Sequence, residues 1–520
     1  MTSLIRMRPS KTVLNLDQGD NFNFLTALNL CNYDSINHNI ITRSLNLFKC
    51  IPSGLDCCFL RYGMGGFGLF RHFSPKFAFW WIVIPNIGAI AMWPIGGPSM
   101  AVPIAICGTI ALLMCQFDNR TARRIGIVTC FALSVMMYVA VSFNLEPLKV
   151  VSSMQYVTDI DISRSPEYVM ACVIILTALF LALRYAPNTP KLLTREQRIM
   201  AVVAIVLLID VDWVVTAGAR GTYKMSAPAG TPIDSAVLQN HIAPKSTSAR
   251  NLIVILVESL GVPNNAHDRA LFDRAWGKRR WASRYEYSSG TSAYFGSTTN
   301  GELRELCGVW ADYDRYDFDK ANCLPKKFRN AGFHTTAIHA YQGDFFDRQT
   351  WYPKLGFQDR LFEPQLRARR IGRCGGVFAG ACDADIPALI GKRLRNSPYP
   401  RNFVYWVTLN THLPVGADEG LRTEHCQLSD AEWNEAFPML CREYMLQQRL
   451  ADALEREIMR ADFPEADILI VGDHMPPFFP RAMRERFDTE NVPWIMLRSR
   501  AAMRRSGSTG ADPAADLAAG

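Results

Sequence analysis

Residues 1–63 hold no apolar segment followed by a small-residue cleavage site, so no cleaved signal peptide is expected within them. They are rich in Asn, poor in Ala and without a clear period, whereas the rest is rich in Ala, Arg and Val, and a start at Met64 is compatible with that break. The net charge of +8 is not gathered into a basic stripe interleaved with aromatics, which excludes a nucleic-acid reader. It is spread over loops and the carboxyl-terminal half, as a solvated surface with basic loops on the cytoplasmic side of a membrane would have it.

Long apolar runs are present, and only in one part of the chain. Phe77 to Ile95, Ala101 to Cys115, Ile125 to Phe143, Tyr168 to Leu183 and Ile199 to Gly218 are five candidate membrane helices, the second short and holding Pro103. A bilayer core asks for roughly 20 such residues per helix. Arg71 and Lys76 precede the first run, Arg120, Arg123 and Arg124 follow the second, and Arg184, Lys191, Arg195 and Arg198 follow the fourth. The loops 94–99 and 144–167 carry little positive charge. Basic loops stay on the cytoplasmic side, so everything after Gly218 is expected outside the cytoplasm. Asp210 and Asp212, near the outer end of the last run, invite a functional reading but are also placed to reach the interface.

The expected organisation is an amino-terminal cytoplasmic segment, poorly ordered, over 1–76; a five-helix transmembrane domain over 77–218; a Gly-, Pro-, Ser- and Thr-rich linker over 219–250; an exported domain over 251–500; and a disordered tail over 501–520. In the exported part apolar runs at Leu252 to Val257, Thr335 to Ile338, Phe403 to Leu409, Asp467 to Val471 and Trp494 to Leu497 alternate with helical stretches such as Tyr444 to Arg460. That alternation predicts an α/β fold with a mainly parallel central sheet covered by helices. Of 14 cysteines, Cys307, Cys323, Cys374, Cys382, Cys426 and Cys441 lie in this part. An even number in an oxidising compartment favours disulfides, with the near neighbours Cys374 and Cys382 the simplest pair.

Two of the apolar runs end in acids: Asn251-Leu-Ile-Val-Ile-Leu-Val-Glu258 and Val471-Gly472-Asp473-His474. Open α/β sheets keep their active sites at the carboxyl ends of strands. Glu258, Asp473 and His474 offer two carboxylates and an imidazole, a set suited to zinc or manganese, and the hydroxyl of Thr298 would complete a roughly tetrahedral site. Ser297 and Thr299 are weaker candidates for that hydroxyl. Helix-forming residues follow Thr298, which places it at a helix amino terminus, where free N–H groups favour an anion. Phosphoryl or sulfuryl transfer further needs a group to protonate the leaving oxygen, and His412 supplies an imidazole.

The ordered set Glu258, Gly296-x-Thr298-x-x-x-Glu302, His339, Phe346-x-Arg348, His412 and Asp473-His474 resembles the alkaline phosphatase/sulfatase superfamily. It is most like the membrane-anchored lipoteichoic acid synthases and the phosphoglycerol and phosphoethanolamine transferases, over about residues 77 to 500. The resemblance implies one zinc or manganese ion held by Glu258, Thr298, Asp473 and His474, Thr298 as the nucleophile of a phospho-threonine intermediate, and His412 at the transferred phosphate and leaving alcohol. It assigns His339, Phe346 and Arg348 to the headgroup pocket, although His339 and His412, each taken singly, read more readily as structural histidines. Phe346 stands where the phosphoglycerol-transferring members have Trp, and six exported cysteines are more like the phosphoethanolamine transferases, so the headgroup stays open.

Cys323-Leu-Pro-Lys-Lys327 approaches the Cys-x-Pro-x-Arg signal for formylglycine but ends in Lys and lies after the nucleophile position, which argues against sulfate-ester hydrolysis. The expected protein is thus multi-pass in a bacterial inner membrane, with its catalytic domain on the periplasmic or extracellular side. It would take a phospholipid donor and a cell-envelope glycan acceptor and no nucleic acid. A phosphodiesterase or phosphatase passing the phospho-threonine to water is the alternative.

Overall fold

The computed structural model describes residues 75–93, 99–143, 150, 166–216, 227–247, 249–478 and 480–508. The expectations for residues 1–74, for most of the loops 94–99 and 144–167, and for the end of the tail lie outside these residues. In the apolar region the main helices are α1 (Ala101–Met114), α2 (Arg120–Phe143), α3 (Pro166–Tyr185) and α4 (Arg195–Thr216). Three stretches, Arg120–Val141, Val169–Asn188 and Arg195–Thr216, are long and apolar enough to cross a membrane. α1 has 14 residues, which at about 1.5 Å each fall short of a hydrocarbon core of about 30 Å. The first expected span is broken into short pieces, with a 3-10 turn at Ile84–Asn86. Pro85 sits inside that turn and has no N–H to continue an α-helical ladder.

Two polar side chains tie the connections together. Buried Arg123 donates to the carbonyls of Cys115 and Phe117 before α2 and of Pro187 and Thr189 between α3 and α4, so both basic loops lie at one end of the helices. Asp212 accepts from Trp93 Nε1 (2.9 Å), Ser99 Oγ (2.9 Å) and the Met100 amide (2.7 Å). Its carboxylate is therefore spent on anchoring the start of α1.

The α/β domain is built on a seven-stranded sheet in the order β2-β9-β8-β1-β7-β3-β4. The strands are β1 (Asn251–Val257), β2 (Tyr285–Ala293), β3 (His334–His339), β4 (Asp359–Leu361), β7 (Asn402–Val407), β8 (Ala466–Gly472) and β9 (Asn491–Ser499), with β5 (Arg373–Cys374) and β6 (Gly380–Ala381) forming a separate hairpin. β8, β1, β7, β3 and β4 are parallel, while β9 and β2 are antiparallel. All seven residues of β1 are buried because both faces are covered. Ile253, Ile255 and Val257 point to one core, with Leu450, Leu454 and Ile458 of the helix Pro438–Ile458; Leu252, Val254 and Leu256 point to the other, with Leu303 and Leu306 of the helix Thr298–Cys307.

Several expectations are corrected here. The stretch taken as a linker is partly packed: Ala236–Gln239 is a helical turn capped by Ser235, and its first amides donate to the buried Glu305 carboxylate. The tail does not begin at residue 501, because a helix spans Arg500–Ser508 and buries Ala502, whose amide meets Ser499 Oγ. Among strands, β2 escaped sequence reading: as an edge strand half exposed along its length, it needs no apolar run. The cysteines pair as Cys307–Cys323, Cys374–Cys382 and Cys426–Cys441, the second as expected.

Candidate active site

Four neighbouring parallel strands deliver the site. Glu258 follows β1, Asp473 and His474 follow β8, Thr408 follows β7, and His339 closes β3. The Glu258 amide donates to Thr408 Oγ1 (2.9 Å), and Thr411 Oγ1 donates to the Glu258 carbonyl (2.6 Å), so the turn after β1 is held on both sides. Ser259 takes a left-handed φ of 58°, which turns its amide onto Asp473 Oδ1 (2.8 Å).

Thr298 is the first residue of its helix, as its neighbours dictate. Asn300 Oδ1 accepts from the Ser297 amide (2.9 Å), and Gly296 has φ 74°, where a Cβ would lie 2.1 Å from Asn300 Oδ1. Gly301 lets the helix press on Asp473, since a Cβ there would stand only 3.1 Å from Asp473 Cα. Arg304 fastens the helix to the end of β8, donating to the Gly472 (2.6 Å) and Asp473 (3.1 Å) carbonyls.

The ligand atoms converge. The Thr298 hydroxyl donates to Glu258 Oε2 (2.9 Å) and lies 3.4 Å from His474 Nε2. His474 Nε2 is 3.2 Å from Asp473 Oδ2 and 3.4 Å from Glu258 Oε1. Ligand atoms of Glu258, Asp473 and His474 lie within 4.8 Å of one another, all buried. His474 Nδ1 donates to the Met475 carbonyl (2.9 Å), which leaves Nε2 as the ligating nitrogen. Asp473 Oδ1 takes two amides, whereas Oδ2, buried, receives no hydrogen bond among the described residues.

The electrostatics of the cluster point the same way. Burial, then the Glu258 charge, pushes the Asp473 carboxyl up to about 8. Burial opposes protonation of His474, but the Asp473 and Glu258 carboxylates overcome it and raise the imidazole to about 9. Burial also acts to raise Glu258, yet His412 and His474 hold it below the usual carboxylate range. A buried cluster that draws in protons is one that lacks positive charge, and a divalent cation among Glu258, Thr298, Asp473 and His474 would supply it. The residues fit the ion.

Of the other expected site residues, His412 is held by its Nδ1 donating to the Leu413 carbonyl (2.7 Å), and burial lowers its pKa. His339 is buried, donates from Nδ1 to the Val407 carbonyl (3.3 Å), and has no partner at Nε2 among the described residues. Phe346 belongs to a row of rings missed in the sequence: Phe346 meets Phe345 (4.4 Å), Phe345 meets Phe378 (5.7 Å), and Phe378 stands edge-on to His412 (4.3 Å). Phe378 lies in the loop closed by Cys374–Cys382, a neighbourhood that no spacing in the sequence announces. Arg348 is not part of the cluster; it is buried and bound to Glu302. A cleft of about 680 Å³, lined in part by His334, Lys392 and Tyr399, opens beside the amino end of β3, away from these strand ends.

Asp383 also went unread. Its Oδ2 accepts the Leu409 (2.7 Å) and Asn410 (2.6 Å) amides, which anchors the start of the loop that carries His412. Burial outweighs those bonds and pushes its carboxyl up to about 7. A folded-state pKa above the ordinary value means stability that is complete below about 3.8 and lost as pH rises through about 7. At about 1.4 kcal/mol per pH unit the loss is roughly 4 kcal/mol. Asp383→Asn keeps an acceptor oxygen and cannot ionise. Thermal melts at pH 5 and 8.5 should therefore show a smaller fall in the variant than in the parent; parallel falls would refute this assignment.

The family described as Sulfatase matches residues 250–491. The match covers most of the α/β unit, which is therefore similar to sulfatase-family domains. No curated protein matches the chain. Among solved structures it is similar to the integral membrane lipooligosaccharide phosphoethanolamine transferase A of Neisseria meningitidis, at 12% identity and TM-score 0.41, covering 84% of this chain and 90% of that one. It is also similar to the lipoteichoic acid synthase LtaP of Listeria monocytogenes, at 12% identity and TM-score 0.39, over 50% of this chain and 67% of that one. The Streptococcus pyogenes phosphoglycerol transferase GacH follows at 18% identity and TM-score 0.33, over 48% of this chain and 69% of that one.

Proposed function

We propose that this chain is a five-span membrane transferase whose α/β domain, outside the cytoplasm, moves a phosphoethanolamine or phosphoglycerol headgroup from a phospholipid to a cell-envelope glycan. One observation carries the reading: the Thr298 hydroxyl, at a helix amino terminus, donates to Glu258 inside a buried cluster of two acids and an imidazole. A divalent ion bound by Glu258, Thr298, Asp473 and His474, zinc or manganese, supplies positive charge to the hydroxyl oxygen and to the phosphoryl oxygens.

In the first half-reaction Thr298 Oγ1 bonds to the donor phosphorus and the phosphorus–diacylglycerol oxygen bond breaks. Glu258 Oε2 stands as acceptor for the Thr298 proton. The departing oxygen takes a proton from Nε2 of protonated His412, whose Nδ1 is already committed to Leu413. In the second, an acceptor hydroxyl attacks the phosphorus, its proton passes to His412 Nε2, and the bond to Thr298 breaks as its oxygen takes back the proton held by Glu258 Oε2. The aromatic row ending on His412 would wall the headgroup, with His339 behind it. Apolar helices keep the site near its lipid donor, which raises effective concentration without new contacts.

Intact-mass measurement of the protein after incubation with phosphatidylethanolamine or phosphatidylglycerol vesicles tests this directly. An adduct on Thr298 is expected, and its mass names the headgroup. Release of free phospho-alcohol at a rate indifferent to added glycan would favour the hydrolase. No adduct with either lipid, together with no bound metal, would leave a non-catalytic membrane scaffold.

A further inference from the structure

Glu302 lies one turn after Thr298 on the same helix and is fully buried. Its Oε1 accepts from Arg348 Nε (2.9 Å) and Nη2 (2.8 Å), and its Oε2 accepts from the hydroxyls of Tyr352 (2.5 Å) and Tyr405 (3.4 Å). Arg348 is 1% exposed. Its remaining arm donates to the Phe345 carbonyl (3.2 Å), and its guanidinium lies 5.4 Å from the Phe346 ring centre.

The turn that Arg348 holds is one that does not form unaided. Phe346 and Asp347 have φ of 57° and 53°, a left-handed conformation that non-glycine residues adopt only when their surroundings impose it. Trp351 Nε1 donates to the Phe346 carbonyl (2.8 Å), and the Asp347 and Gln349 amides close onto the Asp344 and Gly343 carbonyls (both 2.8 Å). Through Glu302 the same turn is tied to the helix that starts at Thr298.

We propose that Glu302 and Arg348 form a strut that sets the distance between the Thr298 hydroxyl and the Phe346 ring, and that Arg348 acts from behind the pocket instead of touching the headgroup. Both are positioning residues. Three of the five N–H donors of the buried guanidinium are committed to the Glu302 carboxylate and the Phe345 carbonyl, and Glu302 offsets its charge, which leaves it a poor ligand for an incoming phosphate. The role in transfer rests on Thr298 being the nucleophile, whereas the mechanical link does not.

Full-length protein in phosphatidylethanolamine or phosphatidylglycerol vesicles serves for both arms of the test. Arg348→Met strands the Glu302 charge, while Glu302→Met/Arg348→Met replaces the pair by apolar side chains, a change buried pairs commonly tolerate. In Arg348→Met, hydrogen exchange of the Asp347 and Gln349 amides is expected to quicken at least about tenfold. Turnover per titrated Thr298 should fall about 100-fold with the donor KM within about threefold, as misplacement and not lost binding dictates. The double variant should recover at least about tenfold in both readouts.

A donor KM raised about 30-fold or more, with turnover per titrated site intact, would instead mean direct headgroup contact and overturn the strut. So would a double variant no better than Arg348→Met. Should Arg348→Met not fold, the double variant decides alone: a donor KM within about threefold of the parent, with no guanidinium left to bind a headgroup, upholds Arg348 as a positioning residue, and a KM raised about 30-fold or more overturns it. If the parent itself forms no Thr298 adduct, the transferase reading fails while the exchange arm still judges the strut.

Discussion

Thr298→Ala should leave a folded protein that forms no adduct and transfers headgroup at least roughly 10⁴-fold more slowly than the parent, because the group that makes the covalent bond is gone. The fold should tolerate the change. Thr298 is the first residue of its helix, Ala is a better helix former than Thr, and the turn is capped by Asn300 on Ser297, not by Thr298. The lost contacts are the hydroxyl's, to Glu258 and His474. Thr298→Ser keeps the oxygen and should retain most of the adduct. Mass spectrometry and transfer assays on the two variants check this, and an adduct of parental mass persisting in Thr298→Ala would remove Thr298 from its role.

Removing the metal's support should be as severe. Asp473→Asn keeps an oxygen for the Ser259 and His474 amides, so the backbone turn after β8 survives. It replaces the hydrogen-bond-free Oδ2 by an amide that cannot ligate and faces His474 Nε2. Bound zinc or manganese, measured by elemental analysis of purified protein, should fall at least about 100-fold in affinity, and activity with it. Chelation of the parent should give the same loss, reversed by adding the ion back. Undiminished metal content in Asp473→Asn would show that the cluster is not the binding site.

These two effects concern residues that a reader of the sequence finds unaided. Glu258 and Asp473-His474 end apolar strand runs, and Thr298 comes two residues after Gly296 and precedes helix formers, so local pattern places all four at element boundaries. Cys374 and Cys382 pair as sequence neighbours do. Asp383, Phe378 and the Glu302–Arg348 pair are different: each acts across 26 to 46 residues of chain, on partners in another element. Phe346-x-Arg348 was visible as a motif, but the direction of the Arg348 side chain was not, and that direction decides whether it meets a ligand or a carboxylate. The spans divide likewise. Their apolarity is written in composition, whereas the breaks around Pro85 and the shortness of α1 emerge only in the folded helices.

The sequence by itself determined the apolar helical part, the α/β part and the place of Glu258 and Asp473-His474 at the carboxyl ends of strands, because hydrophobic period and element ends are local properties of the chain. The tertiary structure alone decided that β8, β1, β7 and β3 lie side by side, so that acids 215 residues apart come within reach of one ion. It also decided that Arg348 is paired from behind, because burial leaves a charge no stable choice but the nearest opposite charge.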